Sequence, residues 1–132
     1  MQSISCIIVD DDVSACRRLD GLLKKILGIT LLASVANSVQ AIDIIIEKKP
    51  DVVFIEIEMR GRNGFEVMNE VKKNMPNMEF VVVTTQEHYA IKAINSGVNG
   101  YLVKPVDLEE LKFLIQKLKV TFKSNVYGNI NN

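Results

Sequence analysis

The sequence has few of the features that mark exported, membrane-bound or nucleic-acid-binding chains. Its longest apolar runs are four or five residues, whereas a membrane-spanning helix needs about 20. The N-terminal residues lack the basic, then apolar, then small-residue pattern of a secretion signal, so we expect a cytoplasmic protein without membrane association. The 16 basic and 16 acidic residues cancel, which argues against nucleic-acid binding by this chain alone.

Cysteine is also scarce. Cys6 and Cys16 lie far apart in the sequence, and neither has a second thiol beside it. Metal and redox motifs place cysteines closer together, so the sequence predicts two buried free thiols without a chemical function.

Short β-rich apolar runs alternate with segments whose apolar residues repeat at helical spacing. Five strands are predicted, at 4–9, 29–36, 52–55, 80–83 and 101–103. Five helices are predicted between and after them, at 13–27, 38–49, 65–75, 86–96 and 108–123. This alternation predicts one doubly wound α/β domain over residues 1–123, with a parallel sheet covered by helices on both faces. Residues 124–132 are predicted to form a polar tail or the start of a linker.

Four of the predicted strands end on polar or charged side chains. Asp10 and Asp11 follow the first strand, Glu56 the third, Thr84 the fourth and Lys104 the fifth. Ligands of open parallel sheets bind outside the carboxyl ends of the strands. If strands one and three are neighbours, these side chains meet in one crevice.

The residue types at this predicted crevice suit a metal ion and a phosphoryl group. Three carboxylates packed together repel one another, so Asp10, Asp11 and Glu56 favour a shared cation. Weak Mg²⁺ binding is the natural prediction, because Mg²⁺ takes oxygen ligands and keeps several waters. A hydroxyl from Thr84 and an ammonium from Lys104 suit the oxygens of a phosphoryl group. The predicted chemistry is phosphoryl transfer onto a carboxylate, or a remnant of it.

Over about residues 4–120 the chain resembles the receiver domains of two-component response regulators. The resemblance rests on five segments and one methionine: Val9-Asp10-Asp11-Asp12, Asp51-Val52-Val53-Phe54-Ile55, Met59, Asn63-Gly64, Val83-Thr84 and Tyr101-Leu102-Val103-Lys104-Pro105. It implies a flavodoxin-like fold with strand order 2-1-3-4-5. It also implies a phosphorelay signalling module that is not an enzyme.

The resemblance assigns roles to the same side chains. Asp10 and Asp11 would hold Mg²⁺ together with Glu56, which stands at the phosphoacceptor position. Thr84 and Lys104 would be the catalytic residues that contact the phosphoryl group.

Further expectations from the resemblance concern switching and partners. Thr84 and Tyr101 would be switch residues, and Pro105 would follow a peptide bond that is cis in this family. Residues 87–93 look like those of receivers that precede a LytTR-type DNA-binding domain, and no such domain follows within these 132 residues. The implied partners are a histidine kinase or a phosphotransfer protein. An output domain, another protein or a second copy of the chain would use the face formed by residues 86–123.

The sequence departs from the family pattern at two positions. The family's phosphoacceptor is an aspartate, and Glu56 stands there; the family's proline after the methionine is Arg60. Glutamate is one methylene longer, which moves its carboxylate out of the geometry that an incoming phosphodonor requires. We therefore expect a receiver that is not phosphorylated in the usual way and whose Glu56 imitates the phosphorylated state in part.

Two other classes fit some of the same residues. Residues 10–14 match the Asp-x-Asp-x-Ser nucleophile pattern of haloacid-dehalogenase-like phosphatases, but the acids after Lys104 are those of a helix start. The length leaves no room for the cap domain of that class. A flavodoxin-like flavin-binding protein is compatible with the fold, but three acids stand where its phosphate-binding loop should follow the first strand.

Overall fold

The computed structural model describes the backbone of residues 3–131 and the side chains of residues 3–119. Strands and helices alternate along these residues. In chain order they are β1 (Ile4–Val9), α1 (Val13–Leu23), β2 (Ile29–Val35), α2 (Ser38–Lys48), β3 (Val52–Ile55), α3 (Gly64–Asn74), β4 (Glu79–Thr84), α4 (Ala90–Asn95), β5 (Gly100–Val103) and α5 (Leu108–Asn131).

The strands form one parallel sheet in the order β2-β1-β3-β4-β5, which confirms the predicted topology. Strand β3 lies between β1 and β4, with Ile55 opposite Val9 on one side and Val82 on the other. The residues that follow β1 and β3 therefore emerge next to each other at the carboxyl edge of the sheet.

Alternate residues of the central strands point to opposite faces of the sheet, and each face buries its own apolar layer. The layer under α2 and α3 contains Ile7, Val9, Val53, Ile55 and Val82. The layer under α1 and α5 contains Cys6, Ile8, Phe54, Val81 and Val83. Burial on both faces explains why these strands are short, unbroken apolar runs in the sequence.

Cys6 and Cys16 are free and buried, as predicted. Burial raises the pKa of the Cys6 thiol to about 12. A thiol with such a pKa is protonated at neutral pH and unreactive, which agrees with a purely structural position.

The end of α1 and the start of α4 differ from the prediction. Helix α1 ends at Leu23 rather than at 27, because the next turn tightens: Lys25 and Ile26 donate their backbone N–H groups to carbonyls three residues earlier. Helix α4 begins at Ala90 rather than at 86. Gln86 is used elsewhere, since its backbone N–H donates to Thr84 Oγ1 and its carbonyl accepts from the Tyr101 hydroxyl.

The last helix and the peptide bond before it bear on two further predictions. The Lys104–Pro105 bond is cis, as expected. The backbone of α5 is helical to Asn131, past residue 123, at which the sequence predicts this helix to end. The side chains of residues 120–123 of this predicted helix lie outside the described residues. The division of the chain at 123 stays a prediction.

The buried carboxyl group of Glu79 generates a stability prediction. Glu79 lies at the start of β4, and its Oε2 atom has no hydrogen-bond partner. Burial raises the pKa of Glu79, and the charge of Asp51 raises it further. We expect Glu79→Gln to increase the free energy of unfolding at pH 7 by about 1 kcal/mol.

The pH dependence of the Glu79→Gln effect follows from the raised pKa. The folded state then binds a proton more tightly than the unfolded state, so the penalty of the charged group is full above the folded pKa and vanishes below the unfolded pKa. Urea unfolding from pH 4 to pH 8 should therefore show a gain that shrinks toward pH 4. The control is Glu47→Gln on the exposed side of α2. An equal effect of Glu79→Gln at every pH would contradict this account.

Candidate functional site

The Glu56 carboxylate is buried at the end of β3, and both of its oxygens have partners. Oε1 accepts hydrogen bonds from the Thr84 hydroxyl at 2.7 Å and from the Glu58 backbone N–H at 3.1 Å. Oε2 lies 2.9 Å from Lys104 Nζ. A buried carboxylate needs such partners, because protein donors must replace the hydrogen bonds that it would make with water.

The Lys104 ammonium joins two carboxylates that come from different strands. Its Nζ atom lies 2.7 Å from Asp10 Oδ2 as well as contacting Glu56. The other oxygen of Asp10 accepts the Asp12 backbone N–H at 2.9 Å. Lys104 follows β5, so its side chain spans the ends of β4 and β3 to reach β1.

Burial and the ion pairs together shift the pKa values of Asp10 and Lys104. Burial raises the pKa of Asp10, and its hydrogen bond to Lys104 offsets only part of that shift. Burial acts to lower the pKa of Lys104, but the hydrogen bonds to Asp10 and Glu56 outweigh it, so that pKa is raised. The ammonium is shared between two acids, and neither acid therefore has a full counter-charge of its own. Lys104 remains charged throughout the physiological range.

Asp11 does not join this cluster. Its Oδ2 atom accepts the backbone N–H of Arg60 at 2.9 Å and lies 3.2 Å from Arg60 Nε. Asp10, Glu56 and Lys104 line a cavity of about 600 Å³ between α1 and the segment after β5, whereas Asp11 and Arg60 line another of about 470 Å³. The two adjacent aspartates thus face different partners.

The sequence marks Arg60 only as a departure from the family pattern and predicts no role for it. The two partners are 49 residues apart in the chain, and no local motif links them. The strand order alone indicates that the loop after β3 passes beside the loop after β1. It does not indicate which side chain of that loop turns toward Asp11.

The loop after β3 is held close to Glu56 by a glycine. A Cβ atom on Gly64 would lie 2.4 Å from the Glu56 carbonyl oxygen, so any other residue there would push α3 away from the strand end. Asn63 caps α3 and, with Glu66, completes a reciprocal capping box. The Asn63-Gly64 pair therefore fixes the end of β3 relative to the next helix.

A chain of hydrogen bonds leads from Glu56 to Tyr101. Thr84 Oγ1 donates to Glu56 and accepts the Gln86 backbone N–H at 3.3 Å. The Gln86 carbonyl accepts the hydroxyl of Tyr101. Burial raises the pKa of Tyr101, and the Glu56 charge adds to the shift. The two predicted switch residues, Thr84 and Tyr101, are connected through a single backbone unit.

Comparison with known proteins identifies the family in which this arrangement of residues occurs. The response regulator receiver domain family matches residues 6–116. The chain belongs to that family. It is 33% identical over 126 residues to an uncharacterized response regulatory protein of Vibrio cholerae, covering 95% of this chain and 52% of the relative. It is 32% identical over 113 residues to the sensory transduction protein LytT of Bacillus subtilis, covering 86% of this chain and 47% of the relative.

The receiver chain spans about half the length of these two relatives. Among solved structures, a DNA-binding response regulator of the LuxR family from Staphylococcus aureus superposes with a TM-score of 0.78 at 33% identity, covering 87% of this chain and 98% of that chain. The receiver domain of AraT from Geobacillus stearothermophilus gives a TM-score of 0.82 at 23% identity, covering 94% and 98%. The second likeness shows the fold alone.

These matches do not favour the phosphatase or the flavin-binding alternative. The function that they support is that of a response-regulator receiver in signal transduction. Over the residues that the structure describes, no helix combines the length and the apolar character needed to cross a membrane.

Receiver domains in general bind Mg²⁺ at an acidic site of this kind. Asp10, Asp11 and Glu56 supply the right type of oxygen ligand. Within residues 3–119, however, no three acidic, histidine or cysteine side chains are arranged so that they could hold one ion. As the side chains lie, Lys104 and Arg60 occupy the places around the carboxylates that a metal would share.

The bridging role of Lys104 can be tested by removing its charge. We expect Lys104→Met to lower the free energy of unfolding at pH 7 by about 2 kcal/mol, because two buried carboxylates lose their shared cation. The loss should shrink as the pH falls toward 4, because burial raises the pKa of Asp10 and protonation of that carboxylate removes one of the unpaired charges. Urea unfolding at several pH values measures it.

The matched control is Lys112→Met, which removes one partner of a solvent-exposed ion pair with Glu109. This change should alter the free energy of unfolding by less than about 0.5 kcal/mol. If Lys104→Met were as mild as this control, Lys104 would not be the cation that stabilises the buried carboxylates.

Proposed function

We propose that this chain is a receiver module whose switch is set by the Glu56 carboxylate rather than by a phosphoryl group. The observation that carries the proposal is the pair of contacts at 2.7 Å to the Thr84 hydroxyl and 2.9 Å to Lys104 Nζ. The family resemblance assigns those two side chains to the phosphoryl oxygens. In this chain the longer glutamate side chain reaches them itself.

The same contacts argue against phosphorylation of Glu56. A nucleophilic carboxylate must present an oxygen in line with the leaving group of the donor. Both oxygens of Glu56 accept from protein groups, and the carboxylate occupies the place where the phosphoryl group would have to arrive. Glutamate is chemically competent, so it is position that opposes the transfer.

The imitation of the phosphorylated state is incomplete on charge. A phosphate group carries about two negative charges and three strong acceptor oxygens, whereas a glutamate carries one charge and two oxygens. The contacts with Thr84 and Lys104 use both oxygens, and no third is left for another donor. We therefore propose a switch biased toward its active arrangement through the Glu56, Thr84, Gln86 and Tyr101 chain of hydrogen bonds.

The proposal extends to the partners. Family members interact with histidine kinases and phosphotransfer proteins, and we propose that the output of this chain passes through the face formed by residues 86–123. In support, Ile91 and Ile94 of α4 are 75% and 69% exposed on that face. An output domain, a separate protein or a second copy of the chain would cover them. The chain itself would neither bind nucleic acid nor turn over a substrate, and the two free buried thiols suit a reducing cytoplasm.

For the metal, we propose weak Mg²⁺ binding through Asp10, Asp11 and the Glu56 region. When bound, the ion would neutralise charge on the carboxylates and, in Glu56→Asp, on the phosphoryl group during transfer. The affinity would be low because Lys104 and Arg60 already contact the three carboxylates.

Substitution of the acceptor tests the proposed function. Incubated with acetyl phosphate or phosphoramidate in Mg²⁺, the parent chain should gain no phosphate, whereas Glu56→Asp should gain one group. The shorter side chain withdraws the carboxylate and opens the place for the incoming phosphorus, while Thr84 and Lys104 remain. Intact-protein mass spectrometry with peptide mapping gives the stoichiometry and the site.

The matched control is Glu58→Asp, the same chemical change at an exposed position two residues away. It should behave like the parent. Phosphate mapped to Glu56 in the parent would show that the longer side chain still reaches the donor. Failure of Glu56→Asp to gain phosphate would overturn the assignment of this pocket.

A further inference from the structure

Arg60 gives Asp11 two hydrogen bonds of different origin. One comes from the backbone N–H at 2.9 Å, and the other comes from the guanidinium Nε at 3.2 Å. The Arg60 side chain is 89% exposed, and an exposed ion pair adds little to stability. A contribution to folding stability therefore does not explain why the Arg60 side chain lies beside Asp11, a predicted metal ligand.

Few oxygens of the three predicted metal ligands are left for a metal ion. Asp10 and Glu56 use both of theirs on protein donors, and Asp11 uses Oδ2 on Arg60. Among the described residues, Asp11 Oδ1 alone has no partner of the six carboxylate oxygens. A divalent ion would thus have to displace protein donors and approach the positive charges of Lys104 and Arg60.

We propose that Arg60 is an internal counter-cation for Asp11 and lowers the affinity of the pocket for divalent metal ions. The inference rests on the proposed function, in which Asp11 is a metal ligand, and adds the residue that controls that site. The guanidinium repels a metal cation by its charge and also occupies Asp11 Oδ2. The backbone N–H carries no net charge and acts only by occupying the same oxygen. The two contributions can be separated because they belong to different atoms.

Two substitutions separate them. Arg60→Ala removes the guanidinium and keeps the backbone donor. Arg60→Pro removes both, since proline has no N–H, and it restores the residue of the family pattern at this position. Arg62→Ala is the matched control, because Arg62 lies in the same loop and its nearest carboxylate is that of Glu70 at 3.8 Å.

The measurement is a Mg²⁺ titration followed by the backbone amide shifts of residues 10–12 and 56–59, with the parent and each variant at the same ionic strength. We expect Arg60→Ala to bind Mg²⁺ about fivefold more tightly than the parent, from removal of one positive charge near the ion. Arg60→Pro should bind more tightly still, and Arg62→Ala should match the parent. Equal affinities in all four proteins, or a loss of affinity in Arg60→Ala, would overturn the inference.

The same series in the Glu56→Asp background distinguishes this inference from the proposed function. If Glu56→Asp gains phosphate and its Mg²⁺ affinity does not change with Arg60→Ala, the counter-cation role is wrong and the receiver pocket stands. If Glu56→Asp gains no phosphate, the proposed function fails whatever the affinities are. If both the inference and the proposed function are right, Arg60→Ala raises the Mg²⁺ affinity in the parent and in the Glu56→Asp background, and Glu56→Asp gains phosphate.

Discussion

The arrangement of the pocket depends on one ammonium group held between two carboxylates. Lys104 Nζ lies 2.7 Å from Asp10 and 2.9 Å from Glu56, and these three groups come from the ends of three different strands. Two buried carboxylates side by side would repel each other. With the ammonium between them they stay close, which allows β1 and β3 to pair up to their last residues and places Thr84 within hydrogen-bonding distance of Glu56.

The strand order places the other side chains of the site beside this ion pair. Because β3 lies between β1 and β4, the ends of three adjacent strands deliver Asp10, Glu56 and Thr84 to one edge. Strand β5 is further out, and only a side chain as long as lysine can return from there to β1. The close approach of Gly64 then holds α3 against the Glu56 carbonyl. The end of β3 is therefore fixed both by its neighbouring strands and by a helix.

The sequence predicts the fold well because its signals are local and strong. Four-residue apolar runs mark β3 and the core of β4, and apolar residues at helical spacing mark the helices. Of the helix boundaries that differ, the start of α4 depends on a tertiary contact, because Gln86 binds Thr84 and Tyr101. The early end of α1 comes from a locally tightened turn. The convergence of the strand-end residues follows from topology, but the partition of Asp10 to Lys104 and Asp11 to Arg60 does not. It depends on side-chain directions that no periodicity in the sequence encodes.

The two departures from the family pattern line different cavities at the carboxyl edge of the sheet, and both proposals give them the same kind of effect. A receiver of the usual pattern meets two charged groups from outside, a phosphoryl anion and a metal cation. Glu56 places a tethered anion where the phosphoryl group would lie, and Arg60 places a tethered cation beside a carboxylate that the metal would use. A tethered charge has no entropy of association to lose and is always present at its site. The equilibrium between the inactive and active arrangements would then be set by the chain itself and would respond less to the concentration of phosphodonor or metal ion.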